Sequence, residues 1–272
     1  MFDLAALEAA LAGTIFAGKL HFAPVTNSTN TDALEAARNA APHSSVYFAD
    51  EQRAGRGRAD RQWDSPAGEG LYASILLRPQ IPAVRLPLVP LSAGLAVAEA
   101  IRAVTGLTVD LRWPNDLLIG SLKAGGILVE SNTEGSTVAF AVVGIGINVH
   151  QRDFAPGLAT PATSLDLESS RKVSRQDLLV ALLKSLQREA LGLLDSAAVA
   201  AIPRRVEQAS TWMRGRKVQV HGPQACAGVT AGLDENGFLL VRTDAGVVTV
   251  QTGGIRAAAT YSGTDAFGGE MD

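Results

Sequence analysis

TVAFAVVGIGIN, residues Thr137 to Asn148, is rich in valine and isoleucine, the composition of a central strand. Just ahead of it Gly126 to Glu130 (GILVE) has the same texture, and the polar run Asn132 to Gly135 reads as the turn between them. Helices flank the pair. From Pro87 to about Val104 the residues Leu88, Leu91, Leu95, Ala98 and Ile101 recur at helical spacing. Ser174 opens another helix, with Leu178, Leu179, Leu182, Leu183 and Leu186 on one face. The mixture indicates an α/β or α+β sheet layer covered by helices.

Working outward, a short helix starts the chain, and a second runs from Thr29 to about Ala40 with Thr29 and Asp32 spaced as a capping box. Val46 to Ala49 and Leu71 to Arg78 read as strands on either side of an arginine-rich loop. Val109 to Trp113 alternates as a half-buried strand and is stopped by Pro114; Pro203 opens a further short helical piece. From Lys217 onward the pattern changes to short strands around Val218, Val229, Phe238 to Val241 and Val247 to Val250, with glycine turns such as Asn236-Gly237. This resembles a small β-barrel. The boundary is expected near residues 212 to 216, giving domains 1–213 and 214–258, followed by a disordered tail, 259–272.

The formal charge of −3 over 272 residues and a pI near 5.8 give no bulk signal for nucleic acid or a membrane surface. Residues 86 to 101 are apolar, but Pro87, Pro90 and Glu99 interrupt them and they fall short of the ~20 residues a bilayer requires. One cysteine, Cys226, fits a reducing compartment, with the cytoplasm as the default. Four scattered histidines and that lone cysteine build no zinc site, and neither a phosphate-binding P-loop nor a complete dinucleotide fingerprint is present.

Chemistry concentrates in GRGRADRQW, Gly55 to Trp63. With Arg53 it holds four arginines in nine residues. Glycine frees the backbone and arginine offers a fork of donors suited to carboxylate and phosphate, so the loop is either an anion clamp or a solvated basic turn. Lys123, one of five lysines, either reaches into a site or leads a strand at the surface. Asp116 could bind Mg²⁺ or cap the turn after Pro114. Asn148 could read a planar heterocycle or end a strand, and Ser28, Thr29 and Gln52 could bind a polar ligand or serve as helix caps and surface.

In this order, Ser28-Thr29-Asn30, Gln52, GRGRADRQW, Ser65-Pro66, WPND at 113–116, KAGGILVE at 123–130 and GIGINV at 144–149 resemble the biotin–protein ligases, or biotin-[acetyl-CoA-carboxylase] ligases. The likeness continues more weakly to Gly254-Ile255-Arg256. It implies an α+β, class II synthetase-like catalytic core with a small C-terminal SH3-like β-barrel. It implies biotin, ATP and Mg²⁺, an adenylate intermediate, and transfer to a lysine of the biotin carboxyl-carrier domain of acetyl-CoA carboxylase or another biotin-dependent carboxylase. By resemblance, Ser28, Thr29, Gln52, Gly55, Arg56, Arg58, Lys123 and Gly126 bind biotin. Arg58, Arg61, Trp63, Asn115, Lys123, Asn148 and Arg256 bind ATP. Catalysis falls to Lys123, Arg56, Arg58, Arg61 and Asp116, with Asp116 on the metal. Only 27 residues precede Ser28, so a DNA-binding domain like that of the repressor members is not expected. Ala59-Asp60 stands where many members are more basic or glycine-rich. Asp60 could pair with a neighbouring arginine, and the loop arginines are expected to order only when a ligand neutralises them. A related lipoate or octanoyl transferase, or a non-catalytic biotin- or nucleotide-binding regulator, is the alternative. The oligomeric state is open, a homodimer included.

Overall fold

The computed structural model describes residues 2–59, 61–79 and 81–258, so the expected tail lies outside the described residues. A seven-stranded sheet forms the centre: β1 (Leu20–Thr26), β2 (Val46–Gln52), β3 (Gly70–Leu77), β4 (Asp110–Arg112), β5 (Asp116–Ile119), β6 (Leu122–Glu134) and β7 (Thr137–Asn148). They lie in the order β1-β2-β3-β7-β6-β5-β4. β1 runs parallel to β2 and all other neighbours are antiparallel. The helices are α1 (Leu4–Ala10), α2 (Thr29–Arg38), α3 (Leu88–Thr105), α4 (Leu165–Glu168), α5 (Arg175–Gly192) and α6 (Ser196–Ala209). The mixed sheet under helices is the α+β class that the sequence implies.

Successive side chains point to opposite faces of a strand, and β7 shows the result. Ala141, Val143, Ile145 and Ile147 join the main core with Leu88, Val97 and Ile101 of α3 and Leu178, Leu182 and Leu186 of α5. Phe140 and Val142 pack on the other face with Leu76 of β3 and Ala33 and Ala37 of α2. Further along that second face β7 presents Gly144, Gly146 and Asn148, and bulky side chains cease. The stretch Ala83–Thr105 is long and apolar enough to cross a membrane, yet α3 within it is a core helix, with Leu88, Leu91, Val97 and Ile101 buried in protein.

Several local expectations are corrected. The capping box does not form: Ser28 is the N-cap without a side-chain cap bond, Asp32 Oδ2 accepts from Thr26 Oγ1 at 2.7 Å, and Thr29 turns its hydroxyl toward Ser74. Pro203 lies inside α6; that helix is opened by Asp195, whose carboxylate accepts from the backbone of Ala197 and Ala198 at 2.8 Å each. The Pro203 ring is buried, which offsets its missing N–H. β6 begins at Leu122 and continues to Glu134, so the turn shrinks to Gly135 and Ser136.

A second, five-stranded antiparallel sheet follows: β8 (Arg214–His221), β9 (Ala227–Leu233), β10 (Leu239–Thr243), β11 (Gly246–Val250) and β12 (Gly254–Ala257). Its order is β11-β10-β9-β8-β12. Among the described residues β11 and β12 do not pair, so the sheet stays open and the expected barrel does not close. Val218, Val220, Leu239, Val241 and Ile255 share one continuous apolar core with Leu111 and Trp113 of the main body. Trp113 Nε1 donates to Gly237 O at 3.1 Å, and Ser210 Oγ to Leu111 O at 2.5 Å, where the two sheets meet.

Candidate active site

The glycines of β6 and β7 make a floor. A Cβ on Gly144 would stand 2.1 Å from Asn30 Oδ1, and one on Gly146 would stand 2.6 Å from Trp63 Nε1. Only glycine therefore lets the first turn of α2 and the Trp63 ring lie directly on the strands. Gly126, on the neighbouring strand, lies under the same ring.

Along one edge of this floor the start of α2 is tied into the sheet. Gln52 Oε1 accepts from Thr29 N at 2.9 Å, and Gln52 Nε2 donates to Ser65 Oγ at 2.9 Å. Thr29 Oγ1 lies 2.7 Å from Ser74 Oγ, Ser74 donates to Asn30 Oδ1 at 2.6 Å, and Asn30 Nδ2 donates to Glu130 Oε2 at 2.9 Å. Ser28, Thr29 and Asn30 are buried.

The arginine loop arches over the floor. Trp63 N donates to Gly55 O at 2.9 Å and Gly57 N to Arg61 O at 2.6 Å, closing a narrow ribbon. A Cβ on Gly55 would be 2.4 Å from Trp63 O, so glycine is required there too. Arg56 makes a two-bond pair with Glu130, at 3.0 and 2.6 Å. Arg58 Nη1 donates to Gly253 O at 3.0 Å and to Asn115 Oδ1 at 3.4 Å. Burial pushes the Arg58 pKa down, against the opposing pull of Asp116, though arginine keeps its charge at neutral pH. Arg56 finds a counter-charge within the protein, in Glu130. Arg61 makes no ion pair among the described residues; Asp60 lies outside them.

Lys123 Nζ meets Asp116 Oδ1 at 2.5 Å and lies 5.5 Å from the centre of the Trp63 ring. The other Asp116 oxygen accepts from Arg112 Nη2 at 2.6 Å and Nε at 3.1 Å. Burial alone would raise the Asp116 pKa, but Lys123 and Arg112 outweigh it and hold the carboxyl below its ordinary range. In this structure Asp116 is a counter-ion between two cations. Among the described residues no three His, Cys, Asp or Glu side chains gather to hold an ion. These residues do not fit a resident metal, and Mg²⁺ belongs with the nucleotide phosphates.

Asn115 Nδ2 donates to Ile127 O at 2.8 Å, a bond that braces the WPND turn against β6. Asn148 is buried, and its Nδ2 donates to Thr163 O at 2.9 Å, so its amide nitrogen clamps backbone. Arg256 is half-buried on β12, in register with Gln219, and makes no side-chain bond to the loop among the described residues. Sequence reasoning missed Glu130, Ser74, Arg112 and the Gly253 carbonyl. Glu130 carried a signal: it is four residues from Gly126 on the same strand and so shares its face. A cleft of about 770 Å³ lies to the side, with Asp64, Glu69, His150, Arg152, Asp166 and Lys172 in its wall; none of the expected site residues lines it.

Lys123 over a glycine floor on a mixed sheet, closed by an arginine-bearing loop, defines a ligase-type site able to draw two anions together. The chain is 35% identical over 244 residues to the bifunctional ligase/repressor BirA of Bacillus spizizenii, covering 87% of this chain and 73% of that one. Residues 22–148 match the model of the biotin/lipoate A/B protein ligase family. The chain belongs to this family, among its biotin–protein ligases. It is also 34% identical over 228 residues to the biotin–[acetyl-CoA-carboxylase] ligase of Paracoccus denitrificans, covering 81% of this chain and 93% of that protein. The biotin protein ligase of Aquifex aeolicus, solved in complex with biotin and ATP, superposes with a TM-score of 0.74 at 28% identity, over 88% of this chain and 98% of that one.

Proposed function

We propose that this protein activates biotin with MgATP and transfers it to a lysine of a biotin carboxyl-carrier domain, in the cytoplasm. The single observation that carries the reading is a floor of Gly126 and Gly146 bearing Lys123 and the Trp63 ring, closed by a loop whose Arg56 and Arg58 are held by Glu130, Gly253 and Asn115, beside the polar start of α2. The Aquifex relative's complex with biotin and ATP supports it. In the first step a carboxylate oxygen of biotin attacks the α-phosphorus of ATP. An acyl–phosphate bond forms, the bond to the bridging oxygen breaks, and pyrophosphate leaves with the electron pair. In the second, the acceptor amine attacks the acyl carbon, AMP leaves, and the amine's proton passes to solvent.

Both reactants of the first step are anions, so fixed positive charge must offset their repulsion. Arg58 and Lys123 are assigned that task, with Arg56 on the carboxylate and Arg61 and Arg256 toward the nucleotide. Mg²⁺ adds its charge as part of MgATP. Ser28, Thr29 and Gln52 are assigned to the ureido ring, Trp63 to an apolar wall, Asn115 to the phosphate side and Asn148 to the adenine side. Residues 1–213 act as the catalytic unit and 214–258 as a smaller module behind the loop. Orienting the two substrates supplies roughly 7–11 kcal/mol of the barrier, so no covalent enzyme intermediate is required.

The test is ATP–pyrophosphate exchange by the purified protein. Exchange is expected with biotin and not with lipoate or octanoate; exchange confined to lipoate or octanoate would sink the assignment. Lys123→Ala should lose exchange far more than it loses folding, still unfolding in one cooperative transition, though at a lower temperature because Asp116 loses one partner.

A further inference from the structure

Arg56 is assigned above to the carboxylate of biotin, yet its guanidinium already grips a carboxylate of the protein. Two parallel bonds to Glu130 fix the plane of the fork as well as its distance, and leave three of its five N–H groups unspent on this pair. The Glu130 side chain is 27% exposed and is itself held by Asn30. Ser74 has one hydroxyl hydrogen and gives it to Asn30, and the Thr29 hydroxyl shares its one hydrogen between Ser74 Oγ at 2.7 Å and Gln52 Oε1 at 3.1 Å. The bonds Ser74 to Asn30 and Asn30 to Glu130 both donate toward the carboxylate that holds Arg56, and Thr29 joins the chain at its far end. Such a chain polarises along its length, and its far end is the Thr29 and Gln52 contact at the start of α2.

We propose that Glu130 is a positioning residue for substrate binding: it orients Arg56 toward the biotin carboxylate and joins it to the residues assigned to the opposite end of biotin. This rests on the biotin–ligase reading and deepens it. A pair this exposed adds little to stability, so removing its charge leaves the fold in place while releasing Arg56.

Glu130→Gln keeps the shape and an acceptor for Asn30 but removes the charge. In biotin-dependent exchange its KM for biotin should rise about tenfold, with kcat and the melting temperature near those of the wild type. If Glu130 acts through Arg56, then Glu130→Gln placed on Arg56→Lys should raise KM no further than Arg56→Lys alone, and Glu130→Asp should restore part of the loss. An unchanged or lowered KM in Glu130→Gln, or additive effects in the double variant, would overturn the proposal while leaving the ligase reading intact. A folded wild-type protein with no biotin-dependent exchange would overturn both.

Discussion

Asp116 concentrates the electrostatics of the site in one residue. Its oxygens serve Lys123 and Arg112, and its side chain is 16% exposed. Its folded pKa lies below the unfolded value, so its contribution to stability is complete above about pH 4 and is lost as the pH falls through the lower folded value. Asp116→Asn leaves the buried Arg112 and the part-exposed Lys123 without their counter-charge and should cost ~3 kcal/mol at pH 7. The gap between wild-type and variant melting temperatures should then narrow below about pH 4; a gap that stays constant to pH 2 would refute this account. Lys123 gains from the same contact, since a tethered ammonium loses less freedom when substrate arrives.

At the scale of elements, α6 illustrates how a local bond sets a boundary. Asp195 accepts from two backbone N–H groups, and Asp195→Ala should destabilise the protein by about 1 kcal/mol, read as a lower urea midpoint. The sequence points to Pro203 instead because proline is the louder signal, although it sits mid-helix on a buried face. α3 and α5 were legible because Leu88 to Ile101 and Leu178 to Leu186 keep helical spacing within helices of 18 residues each. β5 was not, since Asp116 to Ile119 is four residues long and too short to show alternation. The far end of β6 was hidden because Ser131 to Glu134 are polar and exposed, and their strand pairing comes from β7. In the site, charge and glycine marked the arginine loop, Lys123 and Gly126. Asp116 was noticed for its carboxylate, but its partners Arg112 and Lys123 are known only once β4, β5 and β6 pair. The Gly253 carbonyl that receives Arg58 is 195 residues away and has no side chain to notice.

Across the whole molecule, the two sheets are joined by polar bonds as well as by apolar packing. Trp113 is buried and its N–H reaches the turn of the C-terminal sheet at Gly237. Trp113→Phe keeps most of the ring but orphans that carbonyl, and should lower stability by about 1 kcal/mol with an unchanged urea slope. A split into two unfolding transitions would instead mean that the shared core does not hold the sheets together.

The strand β7 gives one half of its residues to the deepest packing and the other half to the floor of the site. Deleting a single residue between Val138 and Ile147 would exchange those roles downstream, setting glycines against α3 and α5 and driving isoleucines up beneath the loop. Point substitutions on this strand harm either packing or chemistry, whereas a one-codon loss harms both. In a pooled deletion scan, β7 should therefore be among the segments that accept no change in length, while the Gly135-Ser136 turn beside it accepts several.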